Sequence, residues 1–121
     1  MIKLTIKGEA CSKANSRRFI PAKGKRRAMF IKSSKALSYE DSFTLQARAQ
    51  YHGEMLLGNL RVWVWITYAS WRPDLDESLI LDCLAKAGVY KNDRQVKEKH
   101  VYHDGVSKKP QCRIWIEKKE D

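Results

Sequence analysis

Ten residues, Leu60–Ala69 (L-R-V-W-V-W-I-T-Y-A), constrain the fold of this chain more than any other stretch. β-Branched and aromatic side chains fill it, the types that suit a pleated, half-buried surface. Successive side chains alternate between faces, so Val62, Val64, Ile66 and Tyr68 point one way. Arg61, Trp63, Trp65 and Thr67 point the other way. Both faces are largely apolar. Such a strand belongs in the middle of a sheet covered on two sides, and one of the covers can be a second subunit. Trp63 and Trp65 read as core side chains, with base stacking as the alternative.

The remaining elements follow from shorter signals. Residues 2–7 alternate, with Ile2, Leu4 and Ile6 on one face and Lys3, Thr5 and Lys7 on the other, a half-buried strand that Gly8 ends. A helix is expected from Ser38, where Ser38 and Asp41 are spaced as a capping box, with Gly53 as its stop. Tyr39, Phe43, Ala47 and Tyr51 line one face of that helix. Ile80, Cys83, Leu84 and Ala87 recur at helical spacing, which predicts a short amphipathic helix over 77–87 ended by Gly88. Two strands close the chain, Val96–His103 and Cys112–Glu117, with Asp104-Gly105 in the turn between them. The expected fold is α+β: a small mixed β-sheet with two helices in the order β-α-β-α-β-β, forming one domain over residues 1–121.

Charge narrows the function. The formal net charge is +10, and residues 1–40 hold eleven Lys and Arg against two acidic residues. That asymmetry points to a polyanionic partner, bound less tightly as salt rises. No apolar run approaches the roughly 20 residues of a membrane span. The alternating N-terminus lacks the apolar block of a secretory signal. Three widely spaced cysteines, Cys11, Cys83 and Cys112, suit neither a disulfide framework nor a zinc knuckle, and fit reduced thiols in a cytoplasmic protein. His52, His100 and His103 lack a zinc-ligand pattern, and no G-x-S-x-G or Walker sequence is present.

The basic excess is concentrated in residues 9–37, read as a short hairpin with a basic tip. Lys13, Asn15, Arg17, Arg18, Lys23, Lys25, Arg26, Arg27, Lys32 and Lys35 are its candidate DNA contacts. Charges packed this densely repel one another unless an anion offsets them. The alternative is a solvated loop.

Against this background, Asp74, Asp76, Asp82 and Asp93 cluster between Trp71 and Val96. Asp74 and Asp76 are two apart where a strand ends and a helix begins, so in extended backbone both carboxylates face one side. Mg²⁺ takes oxygen ligands, usually one or two carboxylates with waters and substrate phosphate. The alternative is that Asp74 and Asp76 cap the following helix and pair with nearby Lys and Arg. Asp93 lies beyond a helix about 16 Å long, and its loop must fold back to join the pair.

Pro73–Asp76 (P-D-L-D), followed by Leu81–Val96 (L-D-C-L-A-K-A-G-V-Y-K-N-D-R-Q-V), resembles the RusA family of Holliday junction resolvases. The family pattern is Asp-Leu-Asp, a helix bearing Asp-x-Leu, a Gly, then Asp-Asp-x-Gln-Val. Ser12–Arg18 and Phe30–Tyr39 are similar to the family's basic segment leading into its first helix. The resemblance implies a small homodimeric endonuclease, often of phage or prophage origin, acting in a bacterial or phage-infected cell. It would nick opposing strands of a four-way DNA junction with Mg²⁺, for which Mn²⁺ would substitute. Asp74, Asp76 and Asp93 would be the catalytic, metal-binding aspartates.

Three departures stand out. Glu77 replaces the family's usual Asn and could add a metal ligand. Ile80 occupies the position of its usual lysine, whose charge could pass to Lys86, to Lys91 or to the basic segment. The helix between Asp76 and Asp82 is two residues shorter, a turn of about 200°. Asp82 fits the pattern but has no evident place at the ion. Two alternatives accompany this reading: a junction-binding protein impaired in catalysis, and a nuclease acting on other branched DNA.

Overall fold

The structure, a computed structural model, describes residues 1–11, 17–20 and 29–120, and for 17–20 and 29–32 the backbone alone. Among the described residues six strands and two α-helices run in the order β1 (Ile2–Lys7), β2 (Arg17–Ile20), β3 (Met29–Lys32), α1 (Ser34–Gln50), β4 (Leu60–Tyr68), α2 (Ser78–Lys86), β5 (Val96–Val106) and β6 (Gln111–Lys118). This is the expected α+β order, and β2 and β3 form the expected hairpin. That hairpin pairs Phe19 with Phe30 and Ile20 with Met29. Its expected basic tip, with Lys23, Lys25, Arg26 and Arg27, lies outside the described residues, as do Lys13 and Asn15.

The main sheet has the order β1-β6-β4-β5. β4 is therefore an inner strand, antiparallel to β6 and parallel to β5. A parallel pair cannot be joined by a tight turn and needs a crossover, which α2 supplies. The acidic stretch between Trp71 and Val96 is that crossover. Leu60, Val62, Val64 and Ile66 have no exposed surface. They share one core cluster with Leu4 and Ile6 of β1, Ile114 and Ile116 of β6, Tyr39, Phe43 and Ala47 of α1, and Ile80, Cys83 and Leu84 of α2. Each fully buried aliphatic side chain contributes about 1.5–3 kcal/mol. On the opposite face Trp63, Trp65 and Trp115 are only partly buried. Trp65 meets Trp115 edge-on at 5.0 Å and stacks on Tyr102 at 5.7 Å.

Three local expectations are corrected. Helix α1 starts one turn before Ser38: the Ser33 hydroxyl accepts the Ala36 N–H at 3.2 Å and caps it. Its end is Gln50, with Tyr51 as the cap; Gly53 leaves room for the Tyr51 ring, which a Cβ there would meet at 2.6 Å. Asp104-Gly105 is not the turn between the last strands but part of β5. Gly105 has φ +94° where the pairing of β4 with β5 shifts register, a bulge that glycine tolerates.

Helix α1 also closes the outer edge of the sheet. The Gln50 amide accepts the Thr5 N–H at 2.8 Å and donates to the Thr5 carbonyl at 2.7 Å. The Gln46 amide does the same for Lys7, at 2.7 and 2.9 Å. Two glutamines four apart thus satisfy backbone groups of edge strand β1 that would otherwise invite another strand.

Candidate active site at the β4–α2 crossover

Tyr68, the last residue of β4, anchors the acidic stretch. Its side chain is 2% exposed. Its hydroxyl donates to the Asp74 carbonyl at 3.2 Å and accepts the Asp76 N–H at 3.2 Å. Burial pushes the phenol above its ordinary range, which keeps the donor proton in place. The backbone of Asp74-Leu75-Asp76 is therefore held at the carboxyl end of an inner strand, where a parallel crossover places functional loops.

The two side chains then differ. Asp74 is exposed. Asp76 is half-buried, and its Oδ1 accepts the Ser78 N–H at 2.9 Å, a local turn contact just ahead of α2, whose N-cap is Glu77. Glu77 follows, with Oε1 2.5 Å from Lys99 Nζ of β5.

Asp93 follows α2 in the chain. It opens a short 3-10 turn, Asp93–Gln95, capped by Asn92 in a reciprocal box with Gln95. The Gln95 amide accepts the N–H groups of Lys91 and Asn92 and donates to the carbonyls of Leu56 and Gly58. This pinning accounts physically for a Gln two residues after Asp93. Asp93 is exposed and lines two shallow depressions. One, of about 260 Å³, also takes in Asp82, Lys86 and Lys91. The other, of about 350 Å³, takes in Leu81 and Lys99. Tyr90 is buried and donates to the Leu81 carbonyl at 2.6 Å. Burial first, then the charges of Asp93 and Asp82, push its phenol far up.

The structure thus brings Asp93 beside Asp82 and beside Lys99, and it pairs Lys99 with the residue following Asp76. Among the described residues no three His, Cys, Asp or Glu side chains converge closely enough to hold a metal ion. The donor set still suits Mg²⁺: hard carboxylate oxygens, with Asp74 and Asp93 exposed to solvent. Mg²⁺ asks for one or two carboxylates and leaves the rest of its shell to water and phosphate.

Of the basic residues singled out, Lys86 makes a 2.9 Å ion pair with Glu40 of α1, whose side chain is 6% exposed. Lys91 is exposed at the rim of the depression it shares with Asp93. Lys35 pairs with Glu9 at 3.2 Å, and the second Glu9 oxygen accepts the Ala69 N–H at 2.8 Å. Glu9 therefore links the start of α1 to the residue that follows β4. Arg17, Arg18 and Lys32 are placed on the hairpin strands by their backbone. Ile80 has no exposed surface, so the helix turns this position into the core.

Sequence reasoning missed Tyr68, Glu9, Gln95 and Lys99 as supports of the site. Tyr68 read as core, which it also is. Gln95 carried a signal in its spacing from Asp93. Glu9 and Lys99 carried none, because their partners lie 60 and 22 residues away.

No protein of curated function matches the sequence. A family described as Endodeoxyribonuclease RusA matches residues 11–117 of the 121. The match spans α1, the acidic crossover and every strand of the main sheet except β1. With nearly the whole chain covered, this protein belongs to the RusA endodeoxyribonuclease family.

Proposed function

We propose that residues 1–121 form one metal-dependent endonuclease domain that resolves four-way (Holliday) DNA junctions by paired nicks as a homodimer. The observation that carries this reading is the Asp74-Leu75-Asp76 backbone fastened by Tyr68, with Asp93 opening the short turn that follows α2, in a basic chain of this family. Asp74, Asp76 and Asp93 would hold Mg²⁺, with Mn²⁺ as a substitute. A bound ion would activate water and offset charge developing on the phosphodiester.

The chain's own residues supply placement. Tyr68 fixes the main chain between the first two carboxylates. Gln95 fixes the loop of the third. Glu77 and Lys99 brace the start of α2 against β5, and Asp82 and Lys91 border Asp93. Lys86 ties α2 to α1 through Glu40. The basic residues from Lys13 to Lys35 would hold the arms of the junction by their phosphates.

Paired nicks on opposing strands call for two sites related by a two-fold axis. The sheet face bearing Trp63, Trp65 and Trp115 suits the seam between copies: it is aromatic and partly buried, and Arg61 offsets Glu98 and Glu117 at 2.6 and 2.7 Å. No helix of the described residues is long and apolar enough to cross a membrane. A DNA nuclease of this kind would act in the cytoplasm of a bacterial or phage-infected cell, in recombination and repair.

The test is cleavage by the purified protein of four-way, flap and linear duplex DNA in Mg²⁺, with its mass measured by sedimentation. The reading expects a dimer that cuts the four-way junction in symmetric pairs and spares the linear duplex. Preferred cutting of flaps would assign it to other branched DNA. Junction binding without cutting, equal with and without Mg²⁺, would make it a binding protein.

A further inference from the structure

At 74% exposure, Trp71 is the most exposed large apolar side chain among the described residues. It stands three residues before Asp74, where β4 has just ended. Its ring is not loose: it lies flat on the imidazole of His103, with centroids 4.9 Å apart and planes within 9°. His103 Nδ1 accepts the Gly105 N–H at 3.1 Å, which orients the imidazole. His103 also packs on Tyr68 at 5.3 Å, and the Tyr68 hydroxyl is bonded to both Asp74 and Asp76. A continuous line of contacts therefore joins an exposed indole to the backbone of both aspartates.

We propose that Trp71 is a stacking platform for a nucleobase left with an open face at a DNA branch point. The inference rests on the nuclease reading above and adds the group that would recognise the branch. An indole packed on one side and bare on the other offers a rigid π face, and holding it in place costs little entropy when a ligand arrives. Within a continuous duplex each base is already stacked on both sides and must be pulled out at a cost. A base at a branch point has lost a stacking neighbour and is the cheaper partner. Every base presents a π face, so the contact selects branched geometry over sequence. The bulged strand carrying His103 then has a use: Gly105, at the register shift of β5, holds the imidazole on which the indole rests.

A synthetic four-way junction carrying 2-aminopurine at the crossover tests this, titrated in EDTA so that no strand is cut. The wild-type protein should quench the 2-aminopurine on binding. Trp71→Phe should keep most of the quench. Trp71→Ala should lose it and bind the junction roughly tenfold more weakly, with affinity for linear duplex unchanged. Thermal melting of each variant should match wild type, because the side chain lies outside the core. Undiminished quench and affinity in Trp71→Ala would overturn the proposal. An equal loss on junction and duplex would overturn it too, by making Trp71 a general DNA contact. Loss of the dimer in Trp71→Ala would reassign the ring to the subunit seam. A wild-type protein that binds neither DNA would fail the nuclease reading itself and the proposal with it, whereas wild-type junction binding without a Trp71 effect would fail the proposal only.

Discussion

The Tyr68 hydroxyl accepts the main-chain N–H of Asp76 at 3.2 Å while donating, at the same distance, to the carbonyl of Asp74. One buried phenol thus satisfies backbone groups on both sides of Leu75. Tyr68→Phe would leave both unpaired, at a cost of about 1–3 kcal/mol in urea unfolding. It would also free the carboxylates to shift. Junction cleavage should fall about tenfold with junction affinity unchanged, since small misplacements at a reacting centre are costly. A variant that cuts at the wild-type rate would show that this anchor has no part in catalysis.

Gln95 makes the corresponding prediction for the third aspartate. Gln95→Ala removes four hydrogen bonds that tie the Asp93 loop to itself and to Leu56 and Gly58. The expected loss is about 2 kcal/mol, because each bond exchanges with water. Amide exchange should quicken at residues 91–95 and slow cleavage should accompany it. Unchanged exchange there would mean the loop is held by other contacts.

Ile80, where the resemblance to the family led to an expected lysine, is fully buried. Ile80→Lys would place an unpaired ammonium in the core. We expect a loss of at least about 3 kcal/mol and little soluble protein, with no gain in activity. A folded, faster Ile80→Lys enzyme would show that α2 turns the other way.

Alkaline pH should unfold the protein early. Burial pushes the Cys112 thiol up to about 12 and the Tyr39 phenol well above its ordinary 10.0. Both folded-state values are raised, so the native state binds more protons than the unfolded chain once the pH passes 9.0, the usual thiol value. Stability from these groups is fully present below that pH and is lost as pH rises towards their folded values. The urea midpoint should be level up to about pH 8 and fall by about pH 10.5. A level midpoint across that range would contradict the burial of both groups.

Much of this was legible in the chain. The apolar faces of Leu60–Ala69 placed it inside a sheet, and the spacing of Ile80, Cys83 and Leu84 placed α2. The parallel pairing of β4 with β5 was not read from the sequence; it emerges from the sheet order. Local end signals misled more. Ser38 and Asp41 have the spacing of a capping box, but Ser33 takes the role because Ala36 already belongs in the core. Asp104-Gly105 has turn chemistry that serves a bulge instead. At the site, residue types near Asp74 and Asp76 could be read, but their supports could not. Lys99 meets Glu77 and Glu9 meets Ala69 because sheet order brings distant segments together, and nothing in either neighbourhood announces it.

The central claim is that Asp74, Asp76 and Asp93 act together on DNA with a divalent ion. The most direct test compares Asp74→Asn, Asp76→Asn and Asp93→Asn on a four-way junction in Mg²⁺. Asparagine keeps the shape of each side chain, and at position 76 its side-chain oxygen can still accept the Ser78 N–H, so folding should be preserved. Each variant should bind the junction as tightly as wild type and fail to nick it. Full cleavage by all three would contradict the assignment.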